Sequence, residues 1–188
     1  ELYEDRSILK EVERDKLTNL LNRDFFKKYA QQFDTLFPNI QKDMLSISID
    51  RFRLINELYG KEFSDNILLA LANELLMDVT KNNGLVGKDA DNTFMVYLEH
   101  RDDYEALEAQ LNAVVKKAAK DVHISLRIGD YPFVNPELDK EIILDRVKTT
   151  ADALINDFTK SIAIYNEEKI VNFTSFGTWV EYKGDEKI

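Results

Sequence analysis

The chain has no cysteine. Disulfides, thiolate metal sites and cysteine nucleophiles are therefore excluded. It has two histidines, His100 and His123, too few for a histidine-rich metal site. Both read as surface or partly packed residues. Three prolines and six glycines argue against a long disordered linker. The apolar runs fall far short of the roughly 20 residues that a membrane span needs, so no membrane contact is expected of this segment. Positive charge is in deficit: 25 lysines and arginines face 35 acids, a net charge of -10. A polyanion such as DNA is repelled overall, and no nucleic-acid partner is expected. A nucleotide carried with Mg²⁺ remains compatible, since such a site needs only a few well-placed groups.

What is present suits one well-buried domain with extra length at its ends: 188 residues, 44% hydrophobic and 32% charged. The absence of a signal peptide and of a starting methionine suggests a piece cut from a longer protein, and the segment is expected to be a soluble cytoplasmic domain, with membrane attachment of the larger protein left open. Residues 1–14 read as the end of a connecting helix, with Leu2, Leu9 and Val12 on one stripe. Their acids read as a solvated face. A helix is expected over 16–37 and a strand over 44–50, where polar and apolar residues alternate. Ser64 or Asp65 offers the N-cap of a helix that carries Ile67, Leu68, Leu71, Leu75, Leu76 and Val79. Residues 94–98 form a strand, with 85–88 as its hairpin partner and 89–93 as the turn.

Further on, a helix is expected over 103–120 and a strand over 122–128. Pro136 then starts a helix that carries Ile143, Val147, Ala151, Leu154 and Phe158, and a last strand covers 161–165. Residues 167–188 form a C-terminal extension that Phe173, Phe176, Trp179 and Tyr182 tie to the core in part. The fold class is α/β, an α+β sandwich with a central mixed sheet of about five strands flanked by helices.

Four strings stand out in order. Asp15–Lys16–Leu17–Thr18–Asn19–Leu20–Leu21–Asn22–Arg23–Asp24–Phe25–Phe26 reads DxLTxLxNRxxF. Ile49 to Gly60 reads close to DxDxFKxINDxxGH, with Asp65 nine residues after Asn56. Ser125 to Pro132 is close to SIGIAxYP, and Ala151–Asp152 with Leu154–Ile155 is close to AD…AL. Residues 15–166 thus resemble the GGDEF (diguanylate cyclase) domain family. The resemblance implies that family's fold and a place in bacterial cyclic di-GMP signalling, with an EAL domain as a neighbour. It also implies a reaction in which two subunits, each holding GTP, meet and join the nucleotides, with carboxylates holding Mg²⁺.

The positions that would carry this chemistry have changed. The first metal aspartate aligns with Ser48. The signature turn aligns with Ala90–Asp91–Asn92–Thr93–Phe94, where both glycines are gone and Asn92 and Thr93 stand at the two acid positions. Asp50 reads as a turn or surface acid, and Asp15 and Arg23 as a structural pair. The product-site RxxD reads Lys81–Asn82–Asn83–Gly84, and Arg127 replaces a small residue. Thr159 falls at the phosphate-contacting lysine, one residue before Lys160.

The guanine end survives. Asn56 and Asp65 match the two base readers, and Phe52, Arg53 and Lys61 are grouped with them as nucleotide-binding. Asp65 also fits a helix cap, and Asn56 a loop that satisfies backbone groups. The expectation is an inactive, GTP-sensing regulatory module that needs no cofactor, with Mg²⁺ present only together with bound GTP. A structural or dimerising module that pairs with a second copy is the alternative, and an active cyclase with unusual ligands ranks third.

Overall fold

A computed structural model describes residues 12–90 and 92–167. The expected extension at 167–188 lies outside the described residues except Glu167, and the expected lead-in helix at 1–14 lies outside them except 12–14. Elements are numbered in chain order. They are α1 (Arg23–Leu36), β1 (Lys42–Ile49), α2 (Phe52–Tyr59), α3 (Lys61–Lys81), β2 (Gly84–Lys88), β3 (Thr93–Glu99), α4 (Glu105–Ala119), β4 (Leu126–Tyr131), α5 (Lys140–Asp152) and β5 (Ile162–Ile164). The five strands form one mixed sheet in the order β2-β3-β1-β4-β5. Only β4 and β5 pair in parallel.

All eight residues of β1 are buried, because both faces of the sheet are covered. On one face Leu45, Ile47 and Ile49 meet Leu71, Leu75 and Leu111 of α3 and α4. On the other, Met44, Met95 and Tyr97 meet Phe26 and Ala30 of α1 and Ile143 and Val147 of α5. At Gly129 the backbone of α5 comes so close that a Cβ would collide with the Val147 carbonyl oxygen.

Several expected boundaries move. The helix expected from 16 begins at Arg23, because Asp15 ties down a turn first. Its carboxylate accepts from the Thr18 amide at 2.9 Å and hydroxyl at 2.7 Å, and Asn19 has φ 59. Asn22 then caps α1 by accepting from the Phe25 amide at 3.1 Å. Residues 52–59 form a separate short helix rather than a loop. Gly60, with φ 88, turns the chain into α3, which starts at Lys61. Ser64 and Asp65 therefore sit inside α3 and cap nothing. β4 runs from Leu126 to Tyr131, later than expected. Pro136 precedes α5, whose cap is Asp139, accepting from the Glu141 amide at 2.7 Å. Leu154 and Phe158 fall beyond α5, and Phe158 is 79% exposed.

Candidate functional site

β1, β3 and β4 place Thr93, Ser48 and Arg127 side by side in one cross-strand row. Cross-strand neighbours project from the same face of a sheet, so the three share a face. The Ser48 and Thr93 hydroxyls lie 3.1 Å apart, in hydrogen-bond contact with each other, and both residues are buried. Asn92 in the turn donates from its side-chain amide to the Ile49 carbonyl at 2.9 Å, while the Ile49 amide donates to the Asn92 carbonyl at 3.2 Å. That side chain is thus spent on holding β1 to the hairpin.

The β2–β3 turn is closed by its own backbone. The Asp89 amide donates to Thr93 at 2.9 Å and the Thr93 amide to Ala90 at 3.1 Å. Lys88 donates its ammonium to the Ala90 carbonyl at 2.5 Å. Asp89 faces Arg23, at 2.7 Å, and Arg23 also reaches Glu141 at 2.6 Å on α5. The expected Asp15–Arg23 pair is therefore replaced by a turn at Asp15 and a bridge at Arg23. The bridge ties the turn to α1 and α5. Phe94 is core, and Asp91 lies outside the described residues.

The remaining charges sit beside the row. Arg127 has a side-chain exposure of 12%. Its Nε is 3.5 Å from Asp50 and its Nη1 is 3.3 Å from Asp152, at the end of α5. Asp50 thus faces an arginine without a hydrogen bond to it. Mg²⁺ asks for several oxygen donors, chiefly carboxylates. Here the row offers two neutral hydroxyls, Asn92 has only a neutral amide oxygen to give, and the Asp50 carboxylate faces a guanidinium. Among the described residues no group of three or more His, Asp or Glu side chains is placed to hold a metal ion. The donor set does not fit the metal that the sequence resemblance implies.

The expected base readers lie on the helical pair that follows β1. Asn56 is on the exposed side of α2, and its carbonyl accepts from the Gly60 amide at 3.0 Å. Asp65 is in α3, partly buried, with Lys61 at 3.2 Å one turn earlier. Lys61 is 86% exposed, so this pair is weak and the lysine is available to other anions. Arg53 pairs with Glu57 at 3.1 Å along α2. Phe52 is half-buried and packs against the core. Thr159, expected in a helix, lies in a turn where Asp157 accepts from its amide at 2.9 Å and hydroxyl at 2.6 Å.

From the sequence, Arg127 is legible only as a packing change. The available signal was its single-residue alternation with Leu126 and Ile128, which sets it on the face opposite those core residues. His100 is only partly exposed. Its Nδ1 is 2.8 Å from the fully buried Asp43, and its ring stacks on Phe133 at 3.9 Å. This agrees with the partly packed role expected of it.

A family model described as diguanylate cyclase, GGDEF domain, matches residues 12–157. No curated protein matches in sequence. The coiled coil and GGDEF domain of DgcB from Caulobacter crescentus, in complex with c-di-GMP, is 14% identical. That match covers 86% of this chain and 90% of that one, with a TM-score of 0.68. The GGDEF domain of TpbB (YfiN) from Pseudomonas aeruginosa is 21% identical over 85% and 99% of the two chains, with a TM-score of 0.64. The S helix-GGDEF-EAL segment of Vibrio cholerae LapD, bound to c-di-GMP, is 13% identical. It matches 87% of this chain and 39% of its own length, with a TM-score of 0.63. At these identities the likeness is one of fold.

Proposed function

We infer, from the premise that this chain belongs to the diguanylate cyclase GGDEF domain family, that it is a catalytically inactive member which binds GTP and regulates a neighbouring domain in cyclic di-GMP signalling. The observation that carries the inactive reading is the Ser48–Thr93 hydroxyl pair. Joining two GTP molecules needs strong charge neutralisation at the phosphates, and two mutually bonded hydroxyls supply none. The turn that would cradle phosphate with glycines holds Ala90 and an asparagine bonded to backbone. Product binding is not expected at the RxxD position either. Gly84 packs so closely on Leu98 that a Cβ there would lie 2.9 Å from it.

The GTP reading rests on Asn56 and Asp65. A carboxylate accepts from guanine N1–H and N2–H together, and an amide supplies both a donor and an acceptor. Adenine has no matching pair of donors. Lys61 stands beside Asp65 to meet ribose or phosphate. Regulation follows if GTP binds one arrangement of the larger protein better than another. An EAL domain, which follows the GGDEF domain in the LapD segment, is a candidate for the regulated neighbour.

A second reading has its own support. Leu54, Leu58 and Tyr59 of α2 are exposed, and an apolar face of this kind suits a dimerising or scaffold module.

Calorimetric titration separates the two readings. GTP is expected to bind in the micromolar range and ATP not at all. Asn56→Ala and Asp65→Ala should each weaken GTP binding roughly tenfold or more without a change in melting behaviour. Chromatography of a GTP incubation should find no cyclic di-GMP. Saturation by ATP as well as GTP would remove the guanine pocket, and product formation would remove the inactive reading.

A further inference from the structure

Arg127 is a mostly buried cation with hydrogen-bonding capacity to spare. A guanidinium has five N–H donors. Here Nη1 makes a hydrogen bond to Asp152, long at 3.3 Å. Nε is buried with no hydrogen-bond partner, since its 3.5 Å approach to Asp50 has no bonding geometry. Charge-assisted bonds of arginine to carboxylate are normally shorter, about 2.7–2.9 Å. Buried donors are almost always satisfied, so an orphan of this kind calls for an explanation. In the sheet register Arg127 is the cross-strand neighbour of Ser48, whose other neighbour is Thr93, so its row carries two neutral hydroxyls and no acid.

We propose that Arg127 is the cation of this site: it receives a phosphate group of the bound nucleotide directly, so that binding requires no divalent metal. The proposal rests on the GTP-binding reading above. The planar fork of arginine matches two phosphate oxygens at once. A phosphate arriving beside the row gives Nε and the free N–H groups the short bonds that Asp50 and Asp152 do not provide. Those two acids are partly exposed and keep hydration when the guanidinium turns to phosphate. The carboxylates of a metal site would repel phosphate in the absence of the ion. Ser48 and Thr93 do not; Asp50 and Asp152 do, and the short bonds from the guanidinium to phosphate must outweigh that repulsion.

The test is titration of GTP into the whole chain, in excess EDTA and in excess Mg²⁺. The two dissociation constants are expected to agree within about threefold. Arg127→Ala should weaken binding roughly tenfold or more in EDTA. Arg127→Lys keeps the charge without the fork and should fall between the two, which covers the case in which the alanine variant does not fold. GTP binding that appears only with Mg²⁺ would overturn the proposal and leave the GTP-sensing reading intact. If GTP binds in neither buffer, that reading fails, and inorganic pyrophosphate in EDTA decides the present one. Saturable binding that Arg127→Lys weakens keeps the cationic site, and no saturable binding removes it.

Discussion

Asp130 shows how costly a single side chain can be. Its carboxyl sits in β4, almost fully buried, and Oδ1 has no hydrogen-bond partner. Burial pushes its pKa up to about 7, the nearby Asp43 carboxylate adds to this, and His100 works against it. That value lies above the roughly 3.9 of a free aspartate. The folded chain therefore holds a proton that the unfolded chain releases between about pH 4 and pH 7. The resulting stability is complete below pH ~4 and is lost as pH rises through about 7. Asp130→Asn has no proton to lose. It should be more stable than the parent at pH 8 by about 2 kcal/mol and show a flatter pH dependence from pH 5 to 8. Urea unfolding at the two pH values checks this, and identical slopes for parent and variant would refute it.

At the scale of elements, two contacts set the frame of the site. Gly129 lets α5 lie directly on β4 beside Arg127. Gly129→Ala forces the Val147 carbonyl away and should cost about 2–3 kcal/mol, measured as a lowered denaturation midpoint. The guanine pair on α2 and α3 should be unaffected, so GTP affinity measured well below the melting temperature stays within a factor of a few. The second contact is Arg23, which joins α1 to the β2–β3 turn through Asp89 and to α5 through Glu141. These partners pull the Glu141 carboxyl down to about 2, the Arg23 hydrogen bond first and the Lys27 bond second. A depressed acid gives its stability above the unfolded value and loses it as pH falls through the folded one. Glu141 is partly exposed, so the contribution is screened. Arg23→Ala should cost only about 1 kcal/mol, and the loss should shrink in high salt. A loss that salt does not change would mean that the side chain acts through packing.

For the whole molecule, binding and folding are linked. If GTP binds the native state alone, saturation at about 100 times its dissociation constant adds roughly 2.7 kcal/mol of stability. The melting temperature should rise with GTP, and at the same GTP concentration Asn56→Ala, binding roughly tenfold more weakly, should keep about half of that stabilisation or less while leaving the unliganded melt in place. A rise undiminished in Asn56→Ala would place the ligand elsewhere. The exposed apolar residues of α2 make the opposite expectation for a scaffold: concentration-dependent association and no effect of GTP.

The order of strands and helices, apart from the short α2, was legible from local pattern alone. Alternation marked β1, the glycines around 84–87 marked the hairpin, and apolar residues three and four apart marked α3, α4 and α5. These are properties of neighbouring residues, and a sequence displays them directly. The loss of carboxylates at Ser48, Asn92 and Thr93 was equally visible, because it is a matter of which groups exist.

Partnership was decided only by the fold. Arg23 lies 66 residues from Asp89 and 118 from Glu141, so no local rule joins them, and Asp15 turned instead to Thr18. Asp65 fits a cap by type, but Gly60 turned the chain five residues sooner and left it inside α3. Arg127 looked like an awkward replacement for a small residue until β1 and β3 brought Ser48 and Thr93 alongside it. Sequence determines which charges and hydroxyls a chain owns. Where they meet depends on sheet register, a relation between residues far apart along the chain.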